Sequence, residues 1–227
     1  MSEWNSYQIQ DFVPFSADVY FRMLERMGET FWPLQLFTLA VGVAALLLAL
    51  RGKSRVALLL LAPVWVFVGV AFFAQRYANL NWIGQILGWV WIAQAALLVL
   101  LAATGRGTAG PVESHSANNI TGVLISLVGL LMFPLLAPVL DTSWTQAEVF
   151  GLHPDPTGVV SLGIFMIALR GWAQWLTCLV PLLWITLSAL TLQVLEAPWW
   201  GALFAVAAVA VGSLIGQSRV VLARSGR

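Results

Sequence analysis

The stretch TGVVSLGIFMIAL, residues 157–169, decides how this chain folds. It is mostly apolar, begins within the turn-like residues FGLHPDPTG at 150–158, and ends before Arg170. A helix of this length rises only about 20 Å, whereas the hydrocarbon core of a membrane is about 30 Å thick. The number of membrane crossings therefore depends on whether this short stretch is one of them.

The composition places the chain in a membrane. Of 227 residues, 60% are hydrophobic and 9% are charged, and the mean hydropathy is +0.87. Soluble globular domains have far more charge and less apolar surface. Six other apolar runs are long enough to cross a bilayer as helices of about 20 residues: residues 31–50, 56–75, 82–103, 119–140, 173–193 and 198–217. The sequence thus predicts an all-α, polytopic membrane helix bundle.

The basic residues indicate that residues 157–169 are a seventh crossing. Lysine and arginine favour the cytoplasmic side of a membrane. With seven crossings, eight of the eleven basic residues share one side: Arg51, Lys53, Arg55, Arg106, Arg170, Arg219, Arg224 and Arg227. With six crossings, the last three of these would lie outside. We therefore predict seven transmembrane helices, an external N-terminus and a cytoplasmic C-terminus.

Three parts are expected along the chain. Residues 1–30 form an external segment with no signal peptide, and within it residues 16–29 have the spacing of an amphipathic helix lying on the membrane surface. Its apolar stripe consists of Val19, Met23 and Met27. Residues 31–217 form the seven-helix transmembrane domain. Residues 218–227 are a basic cytoplasmic tail.

The short seventh segment can match the membrane in two ways. Either Arg170 extends to the cytoplasmic interface beside Trp172 and Trp175, or the outer end of the helix is sunk below the headgroups. In the second case the HPDP turn lies in the mouth of the bundle and borders a shallow external vestibule. We expect Asp155 to be the N-cap of this helix, with Pro156 in its first position. His153 is expected in an external loop.

The reactive residues exclude several classes of membrane protein. The single cysteine, Cys178, excludes an intrachain disulfide and a cysteine-rich metal cluster. The only lysine, Lys53, lies in a predicted cytoplasmic loop, which excludes a retinal Schiff base in the last helix. Both histidines lie in predicted loops, so a haem held between helices is excluded. With no P-loop, HExxH or nucleophile elbow, we expect no cofactor, no nucleic-acid partner and no conventional hydrolase or kinase.

Polar residues on the predicted external side form a candidate pocket for a solute or ion. Its predicted lining is Arg76, Asn81, Asp141, Glu148 and Asp155, and a polar path inward could continue along Gln85 and Gln94. An arginine among carboxylates can bind an anionic group or pair with the acids as a latch. The alternative is a solvated, negatively charged outer face. In the helices, amides and the glycine pair Gly84 and Gly88 are typical of helix contacts.

The sequence resembles a bacterial multi-pass membrane family, domain of unknown function 6064. The resemblance is carried by WNSYQIQDFVPFS (4–16), RYANLNW (76–82), WTQAEVFGLHPDPT (144–157) and PLLW (181–184), in the same order. The family pattern favours Trp4, Tyr7, Asp11, Phe12, Phe15, Ser16, Arg76, Tyr77, Asn81, Trp82, Glu148, Phe150, Gly151, Pro154, Asp155, Pro156 and Thr157. His153 is not part of it. The resemblance implies a bacterial inner-membrane protein and brings no activity with it.

Three functional hypotheses remain open from the sequence. The first is an inner-membrane protein that binds or passes a small solute or ion through the external pocket. The second is an accessory or scaffold subunit of a larger membrane complex, with contacts to a partner or to further copies of this chain in the lipid bilayer. The third and weakest is an enzyme or metal-handling protein, for which His153 is the candidate metal ligand beside Asp155 and Glu148.

Overall fold

The structure, a computed structural model, describes residues 13–110, 117–139 and 143–225. Within these ranges the chain is helical, as the composition predicted. The α-helices are α1 (Ala17–Thr30), α2 (Trp32–Leu50), α3 (Ser54–Phe67), α4 (Ile83–Thr104), α5 (Ala117–Leu127), α6 (Phe133–Val139), α7 (Pro154–Ala168), α8 (Gly171–Val194) and α9 (Trp200–Ser225). Helix α3 continues as a π-helix over Val68–Ala74, and a second π-helix, Val128–Met132, joins α5 to α6. Short 3₁₀ helices lie at Tyr77–Asn79 and Trp144–Gln146.

Six helical stretches are long and apolar enough to cross a membrane, and α7 is a shorter apolar helix between them. Contacts at the two ends of α7 show that it also carries the chain from one end of the bundle to the other. Near its start, His153 contacts Leu24 of α1. At its end, the carbonyl of Ala168 accepts from the N–H of Ala109, in the segment that follows α4. The predicted seventh segment is therefore present, and we refer to the two sides as the α1 end and the far end.

Helix α7 is enclosed by the rest of the bundle. All of its residues are buried, and it packs mainly against α5 and α8. A helix that is apolar on every side is expected in such an interior. Its few polar groups are paired: the indole N–H of Trp65 donates to Ser161 at 3.0 Å, and Ser126 donates to the carbonyl of Val160 at 3.3 Å. The shortest crossing is thus the centre of the fold.

The start of α7 lies well below the α1 end of α2. A Cβ on Gly151 would be 2.6 Å from the Cβ of Thr38, and a Cβ on Gly42 would be 2.8 Å from Phe150. Thr38 lies six residues after Trp32, the first residue of α2, which corresponds to a depth of about 9 Å. The outer end of the seventh segment is therefore sunk. At the far end, the Arg170 guanidinium donates to the carbonyls of Met166, Ile167 and Leu169, which closes the last turn of α7.

Two expectations about the beginning of α7 were wrong. The helix begins at Pro154 with His153 as its N-cap, so Asp155 is not the cap and Pro156 is not the first helical residue. Pro154 suits the first position because that position needs no N–H. His153 is fully buried rather than in an external loop, because the chain before α7 descends into the bundle to meet the sunken helix.

Helix α1 lies where the sequence predicted an amphipathic helix, but the bundle contacts a different stripe. Its buried residues are Tyr20, Leu24, Met27 and Gly28, whereas Val19 is exposed and Met23 is only partly buried. A Cβ on Gly28 would be 2.5 Å from the carbonyl oxygen of Thr145. Gly28 therefore allows α1 to approach the 3₁₀ helix closely, which turns its Val19 side outward. Ser16 occupies the N-cap position without a side-chain hydrogen bond.

The glycine pair in α4 makes the predicted helix contacts. A Cβ on Gly88 would be 2.9 Å from the carbonyl of Gly69 in the π-helix, and one on Gly84 would be 2.5 Å from the backbone N of Ala78. Small residues let backbones approach in this way inside membranes. Helix α4 is thereby held against the π-helix Val68–Ala74 and the 3₁₀ helix Tyr77–Asn79, which keeps Arg76 and Tyr77 at the α1 end.

Replacing Gly163 with alanine is expected to destabilise the bundle. Its Cβ would collide with the carbonyl of Gly122 and the hydroxyl of Ser126 on α5. Overpacking of this kind lowers the free energy of unfolding by about 1–3 kcal/mol. The matched control is Gly212→Ala in α9, where a Cβ meets nothing within 4 Å. Thermal unfolding in detergent micelles measures both, and equal midpoints would show that α5 and α7 are not in close contact.

Candidate functional site

Asp155 lies in the first turn of α7 and is held by α8. One carboxylate oxygen accepts from the indole N–H of Trp184 at 2.8 Å, and the other accepts from the hydroxyl of Ser188 at 2.7 Å. Asp155 is buried. Burial disfavours the ionised form of this carboxyl group, whereas two donors and the N-terminal end of a helix favour it. Both oxygens of the Asp155 carboxyl group are thus held in fixed positions inside the bundle.

Glu148 is a second acid near Asp155. It lies in the non-helical stretch that enters the bundle before α7, residues 147–153, which we call the descending segment. Burial and the negative charge of Asp155 raise the pKa of Glu148 well above its usual value. The phenol of Tyr20 on α1 faces Ser188 and both acids, and burial together with their charges raises the pKa of Tyr20 as well. Two neighbouring carboxyl groups without a counter-charge resist ionising together, so burial and mutual repulsion favour a proton bound within the pair.

Glu148 also borders an opening toward the surface. A cavity of about 130 Å³ lies between α1, α6, the 3₁₀ helix Trp144–Gln146 and the residue before α9, and we call it the acid pocket. Its polar lining is Glu25, Gln146 and Glu148, and its apolar lining includes Phe21 and Trp199. No basic residue is among the described residues that line it. Glu148 therefore connects Asp155 with the acid pocket.

Arg76 lies on the other side of α1, away from the acid pocket. Its guanidinium donates to the carbonyl of Ala71 at 2.6 Å and lies 5.2 Å from the ring centre of Phe31. It lines a cavity of about 630 Å³, which we call the arginine groove. The described residues that line the groove are Ser16, Asp18, Val19, Arg22, Met23, Arg26, Thr30, Arg76, Asn79 and Leu80. Arg76 therefore contacts a carbonyl and an aromatic ring, while the Asp155 oxygens contact Trp184 and Ser188.

The remaining predicted site residues are placed as follows. The Asn81 side chain accepts from the N–H of Ile83 at the start of α4, and Asp141 lies outside the described residues. Gln85 is exposed and donates to the carbonyl of Ala74, a carbonyl at the end of the π-helix. Gln94 is buried and donates to the carbonyl of Thr177, which joins α4 to α8. Both glutamines hold helix contacts, and a polar path along them stays a prediction.

His153 has both ring nitrogens occupied. Its Nδ1 accepts from the N–H of Val149 at 3.1 Å, and its Nε2 lies 3.0 Å from the carbonyl of Leu24 on α1. Burial lowers the pKa of His153 to about 4, so the ring is neutral at pH 7. In the described part of the chain, no group of three or more histidine, cysteine, aspartate or glutamate side chains could hold a metal ion. His153 connects α1 to the descending segment.

Several residues of these two sites were not predicted as site residues. Trp184 and Ser188 hold Asp155, Tyr20 covers the acid pair, and Arg22 and Arg26 line the arginine groove. A signal existed for Trp184, which ends the PLLW motif, and Ser188 follows it one turn later on the same face of α8. Arg22 and Arg26 share that four-residue spacing on α1. Nothing in the sequence placed Tyr20 beside the acids.

A sequence profile of a family of unknown function, DUF6064, matches residues 17–224. The chain belongs to the DUF6064 family. No curated protein and no solved structure matches it. In this DUF6064 protein, five residues of the recognised pattern lie in or near the two cavities at the α1 end: Ser16, Arg76, Tyr77, Glu148 and Asp155. The sequence-based identification of the family and of its multi-pass membrane character is confirmed.

Acidification is expected to destabilise the DUF6064 protein through His153. Because its pKa is about 4 in the folded protein and about 6.5 in an unfolded chain, the unfolded state takes up the proton first as the pH falls below 6.5. From pH 7 to pH 5 this costs about 2 kcal/mol. Chemical unfolding in detergent at both pH values measures it. His153→Gln removes this contribution while the acid pair, which acts in the opposite direction, is unchanged, so parallel pH curves for the two proteins would contradict the prediction.

Proposed function

We propose that this membrane protein binds a small cation, of which the proton is the simplest, from the α1 end at Glu148 and Asp155. The observation that carries the proposal is the position of Glu148, which lines the acid pocket and lies near enough to the buried Asp155 for the charge of Asp155 to raise its pKa. We place the protein in the bacterial inner membrane with the α1 end outward, which the distribution of basic residues supports.

The charges around Glu148 and Asp155 favour a cation. Asp155 has neutral donors, an indole and a hydroxyl, and Arg76 is engaged with Ala71 and Phe31 on the opposite side of α1. In the described part of the chain, the acid pair therefore has no basic side chain to neutralise it. A proton on Glu148 leaves the pair with a single negative charge, and loss of that proton leaves two charges that attract a cation.

A cation can reach Glu148 through the acid pocket. Glu148 is partly buried rather than enclosed, and the acid pocket beside it contains a further carboxylate, Glu25. A pocket lined by acids raises the local concentration of cations and lowers that of anions. A cation entering from the α1 end would therefore meet Glu25 first and Glu148 next, and Asp155 would complete the site.

Beyond the acid pair, toward the far end, the interior of the bundle is closely packed. From Val159 to Ala168, α7 is fully buried and mostly apolar, and its single polar side chain there, Ser161, is bonded to Trp65. Charged species do not cross such packing without rearrangement. The geometry therefore supports reversible binding from one end, and we propose binding rather than passage as the function.

A small cation is expected to stabilise the protein, and Glu148→Gln is expected to remove the effect. Ligand binding to the folded state alone raises the free energy of unfolding by about 2.7 kcal/mol when the ligand is at 100 times its dissociation constant. The measurement is the thermal unfolding midpoint in detergent with lithium, sodium, potassium or choline chloride at constant ionic strength. The midpoint should rise to saturation with one of the small cations and not with choline.

Glu196→Gln is the matched control, because Glu196 is an exposed acid in the turn between α8 and α9. If the site binds only a proton, no metal cation raises the unfolding midpoint. In that case the parent protein has an infrared band of a protonated carboxyl group at pH 7, and Glu148→Gln lacks it. The proposal is wrong if no cation acts and the band is also absent, or if Glu148→Gln responds to cations like the parent protein.

A further inference from the structure

The arginine groove is a second polar feature at the α1 end, and the acid pair plays no part in it. The two cavities lie on opposite sides of α1, with Arg22 and Arg26 facing the groove and Glu25 facing the acid pocket. With a volume of about 630 Å³ the groove is also much the larger of the two. It is wide enough for a headgroup-sized ligand.

The charges of the groove favour an anion. Arg22 and Arg26 are exposed and one helical turn apart, so their guanidinium groups repel each other unless an anion lies between them. Arg76 closes the third side, and its guanidinium is oriented by Ala71 and Phe31. Asp18 is the only acid among the described residues that line the groove, which leaves a net charge of +2 there.

The lining of the groove is amphiphilic. Beside the arginines it contains the apolar side chains of Val19, Met23 and Leu80. Just beyond Leu80, Trp82 is 76% exposed at the beginning of α4. Exposed tryptophans are enriched at the level of lipid headgroups. The groove therefore opens where phosphate groups and the first carbons of acyl chains are found together.

We propose that the arginine groove binds the headgroup of an anionic phospholipid. The phosphate lies between Arg22, Arg26 and Arg76, whose planar guanidinium groups match phosphate oxygens with two donors each. The upper acyl chain runs along Val19, which is exposed, and Met23, which is partly buried. The groove selects phospholipid over free phosphate because only the lipid fills both its charged and its apolar parts.

Native mass spectrometry of the full-length protein in a mild non-ionic detergent tests this proposal. The probes are phosphatidylglycerol and phosphatidylcholine with the same acyl chains, inorganic phosphate and glycerol 3-phosphate. We expect one phosphatidylglycerol to bind at least about tenfold more tightly than phosphatidylcholine, with an affinity that falls as salt rises. The double substitution Arg22→Gln and Arg26→Gln should remove this preference.

The control is Arg51→Gln with Arg106→Gln, which removes the same charge from exposed positions at the far end and should leave the preference unchanged. Equal binding of the two lipids would overturn the proposal, as would full retention of phosphatidylglycerol by the Arg22 and Arg26 variant. Displacement of the lipid by inorganic phosphate or glycerol 3-phosphate at equal concentration would also overturn it, because the apolar half of the groove would then contribute nothing. None of these results depends on cation binding at Glu148.

Discussion

A helix of 15 residues rises about 22 Å, some 8 Å less than the hydrocarbon core it has to match. In this protein α7 has that length and is surrounded by the other helices. Its far end is fixed by backbone contacts with the segment after α4, so the whole deficit appears at the α1 end. The chain must then descend from Ala147 to His153 in non-helical backbone, which a membrane interior tolerates only where protein satisfies the polar groups.

That requirement explains the polar contacts around the descending segment. Gln35 of α2 donates to the carbonyls of Gly28 and Thr145, and His153 binds backbone groups on both of its sides. Thr157 accepts from the N–H of Gly151 and donates to the carbonyl of His153. These contacts consume the amides and hydroxyls that could otherwise bind a solute. Among the described residues, Glu148 takes no part in these contacts, and the proposed function is based on it for that reason.

The sequence was sufficient for the fold and only partly for the site. Apolar run lengths and the positions of basic residues predicted every long helix and the short seventh segment, because both are governed by membrane thickness and charge alone. The same patterns placed Arg76, Glu148 and Asp155 at one end. These patterns could not show that α1 lies between Arg76 and the acids. The side of α1 that packs on the bundle depends on the close approach of Gly28 to Thr145, which is a tertiary contact. Likewise, His153 is buried because the chain before α7 enters the bundle. The local sequence around His153 does not indicate how deep that segment lies.

Helix α1 is a wall shared by two cavities of opposite charge. Arg22 and Arg26 border the arginine groove, and Glu25 borders the acid pocket. Between these two faces of α1, the carbonyl of Leu24 contacts His153. A single turn of helix is rigid, so the two faces cannot move independently. The two cavities are thus kept apart by one helix diameter, about 10 Å.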